Sequence, residues 1–109
     1  MLSLEISAAE LDELQKTGKD AFVLLDVREP WEHQIGHLDP SVLMPMGDVP
    51  SRAHQELDPD VPIIVYCHHG VRSLNTAVWL RNQGFEQAQS LAGGIDQWSK
   101  TIDPSVPRY

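Results

Sequence analysis

The sequence predicts one α/β domain with a mainly parallel sheet of about five strands, flanked by helices. Short apolar segments alternate along the chain with segments of helical periodicity, and turn residues separate them at short spacing. The length of 109 residues, 41% of them apolar, suits a single core, so we assign residues 1–109 to one domain. We place its core at about residues 2–100 and expect an extended tail over 101–109, where Pro104 and Pro107 fall.

The chain begins with a short predicted strand over residues 4–6, followed by a helix. Ser7 and Glu10 have the spacing of a capping box, which predicts that this helix covers residues 8–16. Gly18 stands where a helix-ending glycine belongs, because glycine adopts the left-handed conformation of that position without strain.

The segment AFVLLDV, residues 21–27, is the first of two strongly apolar strands. A run this short, apolar except for Asp26 and rich in branched side chains, is typical of a strand buried on both faces. Three further elements are then predicted in order: a helix over 30–35, a strand over 42–44 and a helix over 48–57.

The segment VPIIVY, residues 61–66, is the second buried strand, and the loop CHHGVR follows it directly. A helix is predicted from Ser73 or Leu74 to Gln83, with Gly84 at its end. The last elements are a strand over 88–91, a glycine turn at 93–94 and a helix over 95–100.

Charge and cysteine content exclude several classes of function. Lys and Arg total 8 against 16 Asp and Glu, a net charge of −8, whereas nucleic acids and anionic membranes bind basic surfaces. We therefore expect neither as a partner. A single cysteine excludes an intramolecular disulfide and a multi-cysteine zinc site, and no metal or other cofactor is expected. The first twenty residues lack a basic start and a long apolar run, which favours a cytoplasmic protein, and nothing requires more than a monomer.

Cys67 is the residue that points most strongly to chemistry. It lies between a predicted strand and a helix, at the sheet edge where parallel sheets bind ligands. A helix N-terminus, inward backbone N–H groups and the charge of Arg72 each favour the thiolate, the reactive form of cysteine. Gly70 suits a loop that must turn without a Cβ atom. The alternative, a buried and unreactive core cysteine, is disfavoured by the placement of Cys67 in CHHGVRS.

Three motifs resemble the signatures of the rhodanese superfamily and occur in its order over about residues 2–100. An Asp-Val-Arg, glutamate and Gly-His pattern falls on Asp26, Val27, Arg28, Glu32, Gly36 and His37. A six-residue loop that starts with the nucleophilic cysteine falls on Cys67, His68, His69, Gly70, Val71 and Arg72. The Gly-Gly…Trp segment falls on Gly93, Gly94 and Trp98. The chain is thus similar to the single-domain sulfurtransferases of that superfamily.

The resemblance implies a rhodanese-like three-layer fold and persulfide chemistry. The Cys67 thiolate would attack a sulfane sulfur donor such as thiosulfate, release sulfite and keep the sulfur as a persulfide. A thiol, cyanide or a partner protein would then accept that sulfur. Backbone amides would hold the anionic persulfide, and Arg72 would hold the leaving oxyanion. The residues expected to form the substrate-binding loop are His68, His69, Gly70, Val71, Arg72 and Ser73, supported by Asp26 and Arg28.

The loop departs from the superfamily at its second position, where many members have arginine and this chain has His68. Positive charge then falls mainly on Arg72 and the amides, within a protein of charge −8, so we expect a high KM for thiosulfate. Relatives of the same fold that act on phosphate esters or arsenate have a Cys-x5-Arg loop, one residue longer than the Cys-x4-Arg loop here. The shorter loop suits sulfur better than a tetrahedral phosphate, and a phosphatase is the lesser alternative.

Two other functional hypotheses stay open. Rhodanese-like domains also serve as non-catalytic binding or regulatory modules, although these have often lost the cysteine that is present here. A persulfide relay to another protein would combine catalysis with binding.

Histidine pairs also imitate the spacing of metal ligands, at His33 with His37 and at Cys67 with His68 and His69. Adjacent residues of a tight loop seldom point at one ion, and we expect structural hydrogen bonds at the first pair. We expect the ring of His68 or His69 to line the entrance of the loop and to tune the thiolate by its charge.

Overall fold

The computed structural model describes residues 2–18 and 21–109. Its strands are β1 (Glu5–Ile6), β2 (Val23–Asp26), β3 (Val42–Leu43), β4 (Ile63–Tyr66) and β5 (Ala88–Leu91). Its helices are α1 (Ala8–Thr17), α2 (Pro30–Ile35), α3 (Val49–Glu56), α4 (Val71–Asn82) and α5 (Gly94–Thr101), with a 3₁₀ turn, Met46–Asp48, before α3. Within the described ranges, none of these helices is long and apolar enough to span a membrane.

The five strands form one sheet in the order β1-β5-β4-β2-β3, and every neighbouring pair is parallel. All four residues of the central strand β4 are buried. In the register, Val65 pairs with Leu25 of β2 on one side and with Ser90 of β5 on the other. The predicted α/β class, with a mainly parallel sheet of about five strands, is therefore confirmed.

Helices cover the sheet on both faces and produce three layers. The side chains of Ile63 and Val65 lie in a buried apolar cluster with residues of α3 and α4. The next side chains along β4, Ile64 and Tyr66, point to the opposite face and join a cluster with residues of α1 and α5. Because both faces of β4 are covered, its sequence is continuously apolar rather than alternating.

The predicted boundaries differ from the observed ones by up to three residues. The strand predicted from residue 21 begins at Val23, and the strand predicted from residue 61 begins at Ile63. The helix predicted from Ser73 or Leu74 already begins at Val71, because Gly70 completes the preceding turn with a left-handed φ of +108°. Val71 and Arg72 therefore belong to the first turn of α4 rather than to a six-residue loop.

The last residues do not form the extended tail predicted for 101–109. Thr101 closes α5, and Val106 N–H then donates to the Asp103 carbonyl at 3.1 Å, so the chain turns. Ser99 Oγ donates to the Val106 carbonyl at 2.6 Å and holds this turn against α5. Val106 packs on the apolar cluster beneath, which explains why the chain folds back. The turn carries Tyr109 to the carboxyl edge of the sheet.

Candidate active site

Cys67 follows β4 directly and lies at the N-terminus of α4, as the sequence predicts. The residue is buried, with 1% of its surface exposed. Gly70 turns the intervening chain with a φ of +108°, a conformation that side chains with a Cβ rarely adopt. A Cβ at this position would also lie 3.2 Å from the backbone nitrogen of Gly93. The turn therefore requires glycine and brings the start of α4 over the sulfur.

Backbone N–H groups converge on the cysteine sulfur. The N–H of Gly70 donates to Cys67 Sγ at 3.1 Å, and the N–H of Ser73 donates to it at 3.4 Å. Both donors belong to the start of α4, where backbone N–H groups have no partner within the helix and the helix dipole favours negative charge. The arrangement can stabilise a thiolate or a persulfide anion without a side-chain base.

Two buried hydroxyl groups lie behind the sulfur. Cys67 Sγ is 3.4 Å from Ser73 Oγ, which is 2.8 Å from Ser90 Oγ. Ser73 comes from the first turn of α4 and Ser90 from β5, and neither is exposed to solvent. Ser90 is not among the predicted site residues. Its signal in the sequence is weak: a single serine within a short strand, where any small residue would fit.

The glycine turn before α5 supports the loop from its carbonyl side. Ile95 N–H donates to the Cys67 carbonyl at 2.9 Å. A Cβ on Gly94 would lie 2.5 Å from the Cys67 oxygen and 2.4 Å from the His68 oxygen, closer than any real contact. The backbone of the loop approaches position 94 too closely for any side chain, so this position requires glycine. The Gly-Gly motif is therefore part of the architecture of the site.

Three aromatic rings stack beside the cysteine. His68 lies between His69 and Tyr109, with ring centroids 3.8 and 3.9 Å away respectively. Its Nε2 is buried without a hydrogen-bond partner among the described residues. Burial and the neighbouring His69 lower the pKa of His68, so this ring is neutral at neutral pH. We expected one of these two histidines to line the entrance and to tune the thiolate by its charge, but the lowered pKa of His68 leaves this ring uncharged. Tyr109 is an unpredicted addition to the site.

The stacking bears on the alternative of a metal site. Ligand atoms of His68, His69 and Asp96 lie within 4.8 Å of one another. Nitrogen lone pairs lie in the plane of each ring, however, and two rings stacked at 26° do not direct them to one point. Asp96 is also occupied, because Lys100 and Arg108 lie 3.2 and 3.1 Å from its carboxylate. These side chains are therefore better suited to packing and ion pairing than to metal ligation.

Arg72, which we expect to hold the anionic part of a substrate, forms an ion pair with Glu32. Its Nη1 and Nη2 donate to the two carboxylate oxygens at 2.7 and 2.9 Å. The Tyr109 hydroxyl donates to the same carboxylate at 2.6 Å. The hydrogen bonds from Arg72 lower the pKa of Glu32 to about 2, so the carboxylate is ionised and compensates the guanidinium charge. Anion stabilisation at the sulfur thus falls mainly on the backbone amides.

Asp26 and Arg28 form a fully buried ion pair. Arg28 Nε and Nη2 donate to the two carboxylate oxygens of Asp26 at 2.9 and 2.7 Å, and His33 Nδ1 donates to Oδ2 at 2.8 Å. Burial opposes ionisation of Asp26, but these hydrogen bonds outweigh it and lower its pKa. Arg28 Nη1 also donates to the Tyr109 hydroxyl at 2.9 Å. The pair is saturated with hydrogen bonds and braces the edge of the sheet beside the loop.

The other predicted histidine pair has no metal-like geometry. The rings of His33 and His37 stack with centroids 3.9 Å apart. His37 Nδ1 donates to the His33 carbonyl at 2.9 Å, so the Gly-His motif supplies a structural hydrogen bond.

Of the predicted loop residues, the structure places two against the sulfur. The residues that contact Sγ are Gly70 and Ser73. Val71 is 71% exposed at the start of α4. The network around the site also contains Tyr109, whose position depends on the turn of the last residues and has no local sequence signal.

This architecture matches known proteins in sequence. The rhodanese-like domain family matches residues 7–101. Thiosulfate sulfurtransferase GlpE of Pseudoalteromonas translucida is 35% identical over 97 residues, which cover 87% of this chain and 90% of that protein. Rhodanese-like/PpiC domain-containing protein 12, a chloroplastic protein of Arabidopsis thaliana, is 37% identical over 93 residues, which cover 83% of this chain but 31% of that protein.

Solved structures agree with the fold. A rhodanese-related protein from Thermoplasma volcanium superposes with a TM-score of 0.84 at 31% identity, covering 98% of this chain and 100% of that one. A rhodanese-like domain from Anabaena superposes with a TM-score of 0.85 at 29% identity, covering 93% and 76%. Fold and site define a three-layer α/β domain with a buried cysteine cradled by backbone amides. The chain belongs to the rhodanese family.

Proposed function

We propose that the protein is a sulfurtransferase that carries a sulfane sulfur on Cys67 as a persulfide. The observation that carries this proposal is the buried Sγ, which accepts N–H hydrogen bonds from Gly70 and Ser73. Donors in these positions stabilise the thiolate that attacks and the persulfide anion that results. The 35% identity to a thiosulfate sulfurtransferase over nearly its whole length supports the same activity.

In the loading step, the Cys67 thiolate attacks the outer sulfur of thiosulfate. A new S–S bond forms to Cys67, the S–S bond of thiosulfate breaks, and its electron pair leaves with sulfite. The negative charge of the outer sulfur remains on the persulfide. No proton is taken up or released, which agrees with the absence of any carboxylate or neutral imidazole among the described partners of Sγ.

In the release step, a nucleophilic acceptor attacks the outer sulfur of the persulfide and the Cys67 thiolate leaves. Cyanide yields thiocyanate, and a thiolate yields an organic persulfide. We propose that a small donor and acceptor suffice for turnover by a monomer. We further propose a cytoplasmic site of action, where a reducing environment keeps the single cysteine as a thiol.

A persulfide relay to a protein acceptor is the second candidate. Near the loop, Trp31 is 60% exposed and meets Tyr109 edge-on with ring centroids 6.0 Å apart. Exposed aromatic side chains beside a reactive group are typical of protein contact sites. A relay would load sulfur rapidly and transfer it slowly to cyanide. A purely regulatory module, by contrast, would not require hydrogen-bond donors to the cysteine sulfur.

Thiocyanate formation from thiosulfate and cyanide tests this proposal. We expect steady turnover by the wild type and none by Cys67→Ser. A matched control combines Cys67→Ser with Ser51→Cys, which keeps one cysteine but moves it to an exposed position on α3. That control should also be inactive, because a free thiol without the amide donors is insufficient. Thiocyanate production by the relocated cysteine at the wild-type rate would overturn the role of the loop.

A further inference from the structure

We propose that Ser90 is a positioning residue for the Cys67 thiolate and acts on it through the hydroxyl of Ser73. The inference rests on the proposed function, because it concerns the same sulfur. It begins from the continuous line of polar atoms from Cys67 Sγ to Ser73 Oγ, at 3.4 Å, and on to Ser90 Oγ, at 2.8 Å. Among the described hydrogen bonds, Ser90 Oγ has none to the sulfur, so its effect must pass through Ser73.

The hydroxyl of Ser90 has few hydrogen-bond acceptors within reach. Ser90 is completely buried, and within the described residues its hydroxyl has Ser73 Oγ as its only hydrogen-bond partner. A buried hydroxyl without a partner is costly, so the Ser73–Ser90 hydrogen bond is retained in every protonation state of the site. With the Ser90 O–H as the donor, the single proton of the Ser73 hydroxyl remains available for a second acceptor.

The acceptor of the Ser73 O–H depends on the charge of the sulfur. With a neutral thiol, Cys67 S–H can donate to Ser73 Oγ, and the Ser73 hydroxyl can donate to the Gly70 carbonyl at 3.2 Å. Once the sulfur is ionised, its lost proton is in solvent and Sγ can only accept. The Ser73 O–H then turns to the sulfur, and the O–H of Ser90 donates to Ser73 Oγ. The thiolate thereby gains a third donor, polarised by the second hydroxyl.

Backbone pairing holds the hydroxyls of Ser90 and Ser73 in place. Ser90 is paired with Val65 in the parallel register of β5 and β4, two residues before Cys67. Its N–H donates to the Leu4 carbonyl at 2.8 Å, so the residue is fixed from both sides of the strand. Ser73 is in the first turn of α4, which covers the same face of the sheet. A hydroxyl on a central element can position the sulfur more reproducibly than one on a mobile loop.

The thiolate absorbance of the single cysteine, titrated against pH with Cys67→Ser as the blank, tests the inference. We expect Ser90→Ala to raise the midpoint of this titration by roughly half a pH unit, because the thiolate loses a polarised donor. Ser90→Thr keeps the hydroxyl and should titrate like the wild type. Ser90→Val has the same shape as Ser90→Thr but no hydroxyl, and it should behave like Ser90→Ala. The Thr and Val pair keeps the test decisive where the alanine variant does not fold.

A structural control comes from the same strand. Ala88→Gly lies two residues earlier on the same buried face and weakens β5 without touching Ser73. It should lower stability but leave the titration midpoint unchanged. A midpoint that is the same in Ser90→Val and Ser90→Thr would overturn the inference. The titration requires no sulfur transfer, so a wild type that fails to load sulfur would contradict the proposed function and leave this result standing.

Discussion

The ring of Tyr109 lies flat on the ring of His68, with centroids 3.9 Å apart and planes 10° apart. His68 is the second residue of the predicted six-residue loop. The stack turns this position into part of an aromatic wall, and the lowered pKa of His68 keeps the ring uncharged. The wall is continuous with the Glu32–Arg72 pair, because the Tyr109 hydroxyl donates to Glu32.

Removal of the Tyr109 ring should return His68 to an ordinary titration. Burial is the main cause of the lowered pKa of His68, so Tyr109→Ala should raise this pKa toward its usual value of 6.5. Tyr109→Phe keeps the covering ring and should leave the titration close to that of the wild type. Proton NMR of the imidazole against pH measures both. An identical His68 titration in the wild type and Tyr109→Ala would show that the stack does not bury this ring.

Glu32 should make the fold sensitive to acid. Its pKa is about 2 in the folded protein, lowered from an ordinary value of 4.5. The ion pair therefore stabilises the fold fully above pH 4.5, and this stabilisation is lost as the pH falls toward 2. Glu32→Gln should therefore unfold more easily than the wild type at neutral pH, by roughly 1 to 3 kcal/mol, and the difference should narrow toward about pH 3. Chemical denaturation at both pH values measures it.

The matched control for this prediction is Glu56→Gln. Glu56 also forms a two-bond pair with an arginine, Arg52, at 2.7 and 2.9 Å, but on the exposed surface of α3. Its removal should change stability less than that of Glu32, because exposed pairs are screened by water. Equal effects of the two substitutions would mean that burial of the Glu32–Arg72 pair has no energetic consequence.

The same pair should weaken the binding of thiosulfate. Glu32 compensates the charge of Arg72 in a protein of net charge −8, so the wild type should require about 1 mM thiosulfate or more for half-saturation. Glu32→Gln leaves the guanidinium uncompensated and should lower the KM several-fold at low ionic strength, with a smaller effect in salt. Steady-state kinetics with cyanide as acceptor measures this. Saturation of the wild type at micromolar thiosulfate would show that the Glu32–Arg72 pair does not limit thiosulfate binding.

Gly94 should be far less tolerant of a side chain than another glycine of the same conformation. Gly94 and Gly18 have φ values of 62° and 59°, but a Cβ meets the His68 oxygen at 2.4 Å in the first case and nothing within 4 Å in the second. Gly18→Ala should cost about 1 kcal/mol of stability for its left-handed backbone. Gly94→Ala should cost at least twice as much and should also slow sulfur loading. Similar unfolding midpoints for both variants would exclude a close approach at Gly94.

The elements that the sequence predicts well are those with a local cause. The capping box of Ser7 and Glu10 forms as expected, with hydrogen bonds of 3.0 and 3.1 Å that begin α1. The apolar segment 61–66 contains the central strand, and the fold class follows from the alternation of elements. The position of Cys67 follows too, because a strand-to-helix turn in a parallel sheet always lies at the carboxyl edge.

The parts of the site that the sequence does not predict depend on distant segments. Glu32 and Arg72 are 40 residues apart, so the compensation of the arginine charge has no signature at either position. Tyr109 reaches the loop only because the chain turns after α5, and two prolines alone suggest an extended tail instead. Ser90 matters because β5 pairs with β4, which is a property of the sheet and not of the residue.

Whether Cys67 carries a persulfide can be read from the mass of the intact, reduced protein after incubation with thiosulfate, with Cys67→Ser measured beside it. We expect the wild type to gain the mass of one sulfur atom and to lose it again with cyanide, whereas the variant should gain nothing. A wild-type mass that does not change with thiosulfate or 3-mercaptopyruvate, or an equal gain in the variant, would contradict a persulfide carried by Cys67.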